Sequence, residues 1–236
     1  MAFQDLDDSE PIPIGYKFVL CHMIFDVKME DFHRKARLVA GGYMTEHPDD
    51  VTYVSVVSRE TVCLELTIAA LNDLEVKCGD VLNTYITAPV EDKVWTTLGP
   101  EFGTDSGKRN LIVCALYGLK SARAAFCAHI GKCMQGLGYE PCLADTDLWM
   151  KPEVRHDDHY EYYSYILCYV DGIMVVHHDA LSILERIDKY FTLKPTSIGD
   201  PDIYLGSKLR YINLPKFCLV LEDEPFQLRP RSCTKL

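Results

Sequence analysis

Tyr165-Ile166-Leu167-Cys168-Tyr169-Val170-Asp171-Gly172-Ile173-Met174-Val175-Val176 is the stretch on which the fold turns. Two apolar runs rich in β-branched and aromatic residues flank an Asp-Gly pair, the strongest short-range signal for a β-hairpin. A hairpin turning at that pair would carry the Asp171 carboxylate at its tip, within reach of a metal ion. Taken alone, a surface Asp in a turn accounts for the same residues.

A second acid lies far upstream, in Leu74-Glu75-Val76-Lys77-Cys78-Gly79-Asp80-Val81-Leu82-Asn83-Thr84-Tyr85-Ile86. Leu74, Val76 and Cys78 alternate with polar neighbours, which predicts a strand with one buried face. Asp80 continues that inward phase, and an inward acid requires a partner, a hydrogen bond or a metal. Gly79 beside it permits a close approach by backbone or ligand. Asp80 and Asp171 therefore read as two carboxylates on neighbouring strands that converge on a divalent cation.

Asp80-Val81-x-Asn83-x-Tyr85 and Tyr169-Val170-Asp171 resemble the two catalytic motifs of a reverse transcriptase, most closely those of copia-type retrotransposons. Further blocks follow in that family's order. Lys35-Ala36-Arg37-Leu38-Val39-Ala40-Gly41-Gly42 resembles its fingers motif, and Leu116-Tyr117-Gly118-Leu119-Lys120-Ser121-Ala122 its template grip. Gly138-Tyr139 through Asp145-x-Asp147-Leu148-Trp149 resembles the stretch before the catalytic hairpin, and Tyr204-Leu205-Gly206 the one after it. The matching blocks run from about His22 to Leu209.

The resemblance implies an RNA-directed DNA polymerase. Asp80, Asp171 and the main-chain carbonyl of Val81 would hold magnesium, with manganese as the alternative. Lys35 and Arg37 would grip the incoming triphosphate, since a planar guanidinium bonds phosphate bidentately. Tyr85 would exclude a ribose 2′-hydroxyl, and Tyr117, Gly118 and Lys120 would shape the nucleotide pocket. Tyr169 and Val170 would lie beside the primer end. Partners would be a primer on an RNA or DNA template and deoxynucleoside triphosphates, with integrase and ribonuclease H parts expected from a polyprotein. Outside that family, Lys35 and Arg37 would be exposed edge charges, Tyr85 a half-buried strand aromatic, and Tyr117 to Lys120 a turn before a helix.

The chain departs from the family in two places. The family's hairpin carries two adjacent Asp residues, and the second position here is Gly172. Magnesium sites use few protein carboxylates. A weakened site forfeits several kcal/mol of transition-state stabilisation, or roughly a thousandfold or more in rate. Glycine is expected to suit the turn better than Asp because it accepts positive φ. In the commoner template-grip motif, Gln, Pro and Arg stand where this chain has Ser121, Arg123 and Ala124.

Composition bounds the remainder. At 236 residues and 48% hydrophobic, the chain can bury a sizeable core. No apolar run approaches the roughly 20 residues that span a bilayer. The acidic start lacks signal-peptide features, so no membrane and a cytoplasmic location are expected. Ten cysteines without a signal argue against a disulfide framework; Cys63, Cys114 and Cys168 read as small buried hydrophobes. No C-x-x-C spacing suggests zinc. The net charge of −11 opposes a nucleic-acid grip, although Arg34, Lys35, Arg37, Lys120 and Arg123 cluster near the matched motifs. Part of the acid falls in presumed loops, such as Glu153 to Glu161.

The predicted order is a disordered lead-in over 1–13, then a reverse-transcriptase-like fingers and palm over 14–210. A divergent tail over 211–236 would stand in place of the thumb. Strands are expected over Phe18–Met29, Lys35–Val39, Val90–Leu98, Leu148–Met150 and Tyr163–Val176. Helices are expected over Glu60–Asn72, Ala122–Gly136 and Ala180–Phe191, the last facing inward through Leu181, Leu184, Ile187 and Phe191. The class is α+β, with a largely antiparallel palm sheet packed against helices. Beyond Arg210 the pattern decays, as in a fragment of a decayed element or after a frame error. Two readings stay open beside the polymerase: a non-catalytic remnant that still binds nucleotide or nucleic acid, and an α+β protein with no nucleic-acid role.

Overall fold

The Asp171 hairpin sits near the centre of a five-stranded antiparallel sheet. Strands and helices are numbered along the chain. β5 (Glu75–Asp80) pairs with β11 (Gly172–His177), which pairs with β10 (Tyr160–Tyr169), then β9 (Leu148–Arg155), then β8 (Glu140–Pro141). The computed structural model describes residues 2–7, 9–28, 32–42, 57–204, 207–212 and 218–222. They fall into two units, one of Met1–Ser55 and Val81–Tyr139, the other of Val56–Asp80 and Glu140–Leu236. The sheet belongs to the second.

Register places the chemistry. Val76 faces Val176, Cys78 faces Met174 and Asp80 faces Gly172, so these residues share one side of the sheet. Val76, Met174 and Val176 pack there with Leu167, Tyr204 and the helix α1 (Arg59–Leu71) through Val62, Leu66 and Ala69. Gly79 points to the other side, where a Cβ would meet Leu193 at 3.3 Å and Leu184 at 3.5 Å. Leu184 belongs to α3 (Ala180–Asp188), which buries Ile183, Leu184 and Ile187. Helices thus cover both faces, and the expected α+β sheet with antiparallel strands is observed.

The hairpin turns one residue earlier than the Asp-Gly signal implies. Tyr169 pairs with Gly172, so the two loop residues are Val170 and Asp171. The apolar faces set this register, because a one-residue slip would turn every buried side chain to the wrong side. Positive φ falls on Val170, at 55°, and Gly172 is an ordinary strand residue. The expectation that Gly172 serves the turn through positive φ is therefore corrected.

α1 starts at Ser58, whose hydroxyl accepts the Thr61 N–H at 3.0 Å. Asp145 reinforces that end, accepting from the Ser58 N–H at 3.2 Å and the Thr61 hydroxyl at 2.7 Å. β12 (Ile203–Tyr204), β13 (Ser207–Ile212) and β14 (Cys218–Glu222) form a further antiparallel sheet in this unit. Strand pairing thus continues beyond Arg210, where no sequence period is legible. Leu205 and Gly206, part of one matched block, lie outside the described residues.

In the first unit, β1 (Phe3–Leu6), β7 (Arg109–Ile112), β6 (Val94–Thr97) and β2 (Lys17–Phe18) form a sheet in that order. Phe3–Leu6, within the stretch expected to be disordered, pairs along its length with β7. β3 (Cys21–Lys28) and β4 (His33–Ala40) pair antiparallel along their whole length as a hairpin. The helix α2 (Ala122–Gly136) has the predicted bounds and buries Phe126, Ile130, Cys133 and Met134.

Some side chains differ from expectation. Leu181 is exposed, since the buried stripe of α3 runs through Ala180, Ile183, Leu184 and Ile187 and Leu181 flanks it; Leu64 and Leu71 on α1 and Cys63 are exposed as well. Glu153 to Glu161 forms the outer ends of β9 and β10 and the turn between them. Its charges read as a loop because this end of the hairpin is largely exposed on both sides. No disulfide links the eight cysteines described as free. No helix among the described residues is long and apolar enough to cross a membrane.

Candidate functional site

Asp80 ends β5 and Asp171 occupies the adjacent turn, and both carboxylates approach the same ammonium. Lys194 Nζ lies 3.3 Å from Asp80 Oδ2 and 3.5 Å from Asp171 Oδ2. The two acid side chains are 46% and 48% exposed, so the pair is half-buried and open to water. The expected convergence was on a divalent cation, whereas the partner the two carboxylates share here is a lysine ammonium, and the inward burial expected for Asp80 is only partial.

Lys194 was not legible as a site residue. It follows α3 in a loop, and no local pattern links it to Asp80. Main-chain bonds hold it there: its N–H donates to the Asp80 carbonyl at 2.8 Å, and the Asp80 N–H donates to Ser197 Oγ at 2.7 Å. The Ser197 hydroxyl and N–H both donate to the Lys194 carbonyl at 2.9 Å. Cys78 and Gly199 exchange backbone hydrogen bonds of 2.8 and 3.1 Å one step further along. The loop is thereby stitched to the edge of β5.

Two half-exposed carboxylates closing on a cationic nitrogen suit a hard divalent cation, which takes oxygen ligands and retains water. The Lys194 ammonium stands where such a charge is favourable. Burial, aided by nearby Asp80, pushes the Cys78 thiol up to about 12, so it offers no thiolate. Among the described residues no group of three or more His, Cys, Asp or Glu side chains is arranged to hold a metal. The position of the family's third carboxylate, Gly172, lies beside Asp80: a Cβ there would stand 3.7 Å from Asp80 Oδ1.

Tyr169 is partly exposed, and its ring lies 6.4 Å from that of Tyr204. Val170, also partly exposed, carries the strained backbone. A β-branched residue at positive φ is a rarity that collects at functional sites.

The remaining predicted residues belong to the first unit. Tyr85 sits on a 3-10 turn (Thr84–Thr87), not on a strand. Its ring meets Tyr117 edge-on at 4.8 Å and Phe126 at 6.3 Å. Arg37 lies over the Tyr117 ring at 5.8 Å and 3.9 Å from Asp26. Arg37, Tyr85 and Tyr117 thus form one aromatic–cationic face. Lys35 is exposed on β4 opposite Asp26, on the same face of the strand as Arg37, and Lys120 is half-buried. The Val81 carbonyl accepts the Thr84 hydroxyl at 3.2 Å.

Gly118 has a packing reason of its own. Its φ is +92°, and a Cβ would overlap the Ala40 carbonyl oxygen. The Ala40 N–H donates to the Tyr117 carbonyl at 2.7 Å, so the end of the β3–β4 hairpin is laid directly on this turn.

A profile of the family described as reverse transcriptase (RNA-dependent DNA polymerase) matches residues 6–214. The chain belongs to that family. Its relatives include retrovirus-related Pol polyproteins from transposons RE2 and RE1 of Arabidopsis thaliana. RE2 is 27% identical over 188 residues, 75% of this chain and 12% of the polyprotein. RE1 is 27% identical over 197 residues, 78% of this chain and 13% of the polyprotein. The corresponding polyprotein from transposon TNT 1-94 of Nicotiana tabacum is 26% identical over 211 residues, 84% of this chain and 15% of its own length. The reverse transcriptase resemblance read from motif order is therefore shown, and the chain spans about an eighth of these relatives' length.

Proposed function

We propose that the chain is the nucleotidyl-transfer part of an RNA-directed DNA polymerase whose metal centre has been reduced to two carboxylates. The observation that carries this reading is the approach of Asp80 and Asp171 to one cation, Lys194 Nζ, at 3.3 and 3.5 Å. The five-stranded sheet would be the palm and the β3–β4 hairpin part of the fingers. Substrates would be a deoxynucleoside triphosphate and a primer on an RNA or DNA template.

Asp80 and Asp171 would hold magnesium or manganese, with the Val81 carbonyl as a further oxygen ligand. When bound, the cation supplies activation of the primer hydroxyl and charge stabilisation at the transferring phosphoryl group. The protein's share is positioning and electrostatics. Val170, fixed at positive φ, aims Asp171 while keeping the turn to two residues. Tyr169 would support the primer end. In the first unit, Arg37 and Lys35 would neutralise the triphosphate, with Lys120 nearby in the motif. Tyr85 and Tyr117 would present ring edges to the sugar and base, over the close-packed Gly118.

With Gly172 in place of a third carboxylate, turnover should fall by roughly a thousandfold relative to an intact site. Gly172 and the net charge of −11 also favour a second reading, a remnant that binds triphosphate without extending a primer. Primer extension on poly-A with oligo-dT and dTTP separates the two. Slow extension abolished by Asp80→Asn supports the polymerase. Triphosphate binding without extension under magnesium or manganese supports the remnant.

A further inference from the structure

Lys194 is more than a surface lysine near two acids. Its backbone is bonded to the Asp80 main chain directly at 2.8 Å and through Ser197 at 2.7 Å. The preceding residue, Leu193, is buried against Gly79 and donates its N–H to Asp188 Oδ1 at 2.7 Å. The loop is thus clamped on both sides of Lys194, and the side chain is presented to Asp80 and Asp171 from a fixed root. With its backbone already fixed, an ammonium at 3.3 and 3.5 Å loses less backbone freedom on pairing than a lysine on a mobile loop would.

We propose that the Lys194 ammonium is the resident counter-ion of the Asp80–Asp171 pair, and that a divalent cation enters by displacing it. Lys194 then sets the affinity of the centre for metal. The inference rests on the reading of the two carboxylates as metal ligands. Two carboxylates and one ammonium present a net charge of −1 to an incoming cation; without the ammonium they present −2. Like charges a few Å apart repel appreciably even near a protein surface. The Gly172 position makes this matter, because a third carboxylate would present −2 to a cation even with the lysine in place. In this chain the lysine balances half of the anionic charge.

The test is manganese binding to the full 236-residue chain at fixed pH and ionic strength, read by the electron paramagnetic resonance signal of free manganese. Lys194→Met should bind at least tenfold more tightly than the parent. Lys194→Arg, which keeps the charge, should stay within about threefold of the parent. Adding Asp171→Asn to Lys194→Met should abolish the gain. Asp171-dependent binding that Lys194→Met leaves unchanged or weakens overturns the inference and spares the metal-site reading. Absence of Asp171-dependent binding in every variant overturns both.

A measurement on the unsubstituted sequence covers the case in which Lys194→Met fails to fold. After reductive ¹³C-methylation, the Lys194 methyl resonance should move saturably with magnesium, and this response should vanish in Asp171→Asn. A resonance that ignores saturating magnesium overturns displacement.

Discussion

Restoring a carboxylate at position 172 tests the geometry with a single substitution. Gly172→Asp places a Cβ 3.4 Å from the Tyr169 carbonyl oxygen, 3.7 Å from Asp80 Oδ1 and 4.0 Å from Tyr204 Cε2. Those separations call for at most a slight shift, so the strand should accept the side chain. Its charge is the consequential part. Two carboxylates about 5 Å apart repel by about 0.8–3 kcal/mol for effective dielectric constants between about 80 and 20. Half-exposure of Asp80 puts the value near the low end, about 1 kcal/mol. In EDTA the melting temperature of Gly172→Asp should therefore fall by about 2–4 °C. Manganese should reverse the sign. A cation at 100 times its dissociation constant adds about 2.7 kcal/mol, or about 5–11 °C for a chain of this size. The assay is thermal unfolding of parent and variant, each in EDTA and in manganese. Equal melting temperatures in EDTA, or no greater gain from manganese than the parent shows, would refute the placement of residues 80 and 172 at a common site.

Three further outcomes follow from the packing. Glu65 is buried on α1 with Oε2 unpartnered, and burial pushes its carboxyl from an ordinary 4.5 up to about 7. The folded state then binds the proton more tightly than the unfolded chain, so the penalty is absent below pH 4.5, grows with pH and is complete above about 7. That interval corresponds to about 3 kcal/mol: Glu65→Gln should be more stable than the parent by about 2–3 kcal/mol at pH 8 and no more stable at pH 4, in urea titrations, and an equal difference at both pH values would contradict it. Gly118→Ala should lower stability by more than about 2 kcal/mol through positive φ and the overlap with Ala40; a loss under about 0.5 kcal/mol would show that the hairpin end is not seated there. Val170→Gly should raise stability by about 1 kcal/mol by relieving left-handed strain, and a comparable loss in denaturant titration would contradict the turn geometry.

Local pattern explains which parts of the fold were readable. α2 emerged with its bounds because Phe126, Ile130 and Cys133 repeat at helical spacing, and all three are buried. The β10–β11 hairpin and the Asp80 strand were legible because their apolar residues face one another in register. The turn position was misread by one residue, since Asp-Gly is a local preference and register is set by the whole buried face. Leu181 reads as inward by its spacing from Leu184, but the stripe that is buried runs through Ala180, Ile183, Leu184 and Ile187 and leaves Leu181 on its flank. The two units interleave along the chain, which no composition shift marks. Of the site, the carboxylates were readable from motifs, whereas Lys194 was not: it is 114 residues from Asp80 and reaches the site through loop hydrogen bonds that leave no periodic trace. Val170 was assigned a place but not its strain, because a β-branched residue is the last choice for positive φ.

The most direct test of the central claim is anomalous diffraction at the manganese edge from crystals of this chain soaked in manganese. The account predicts a peak about 2.0–2.3 Å from oxygens of both Asp80 and Asp171, with the Lys194 ammonium moved away from its present 3.3 Å and 3.5 Å contacts. Saturating manganese that leaves no peak between the two carboxylates, with Lys194 still in place, would contradict it.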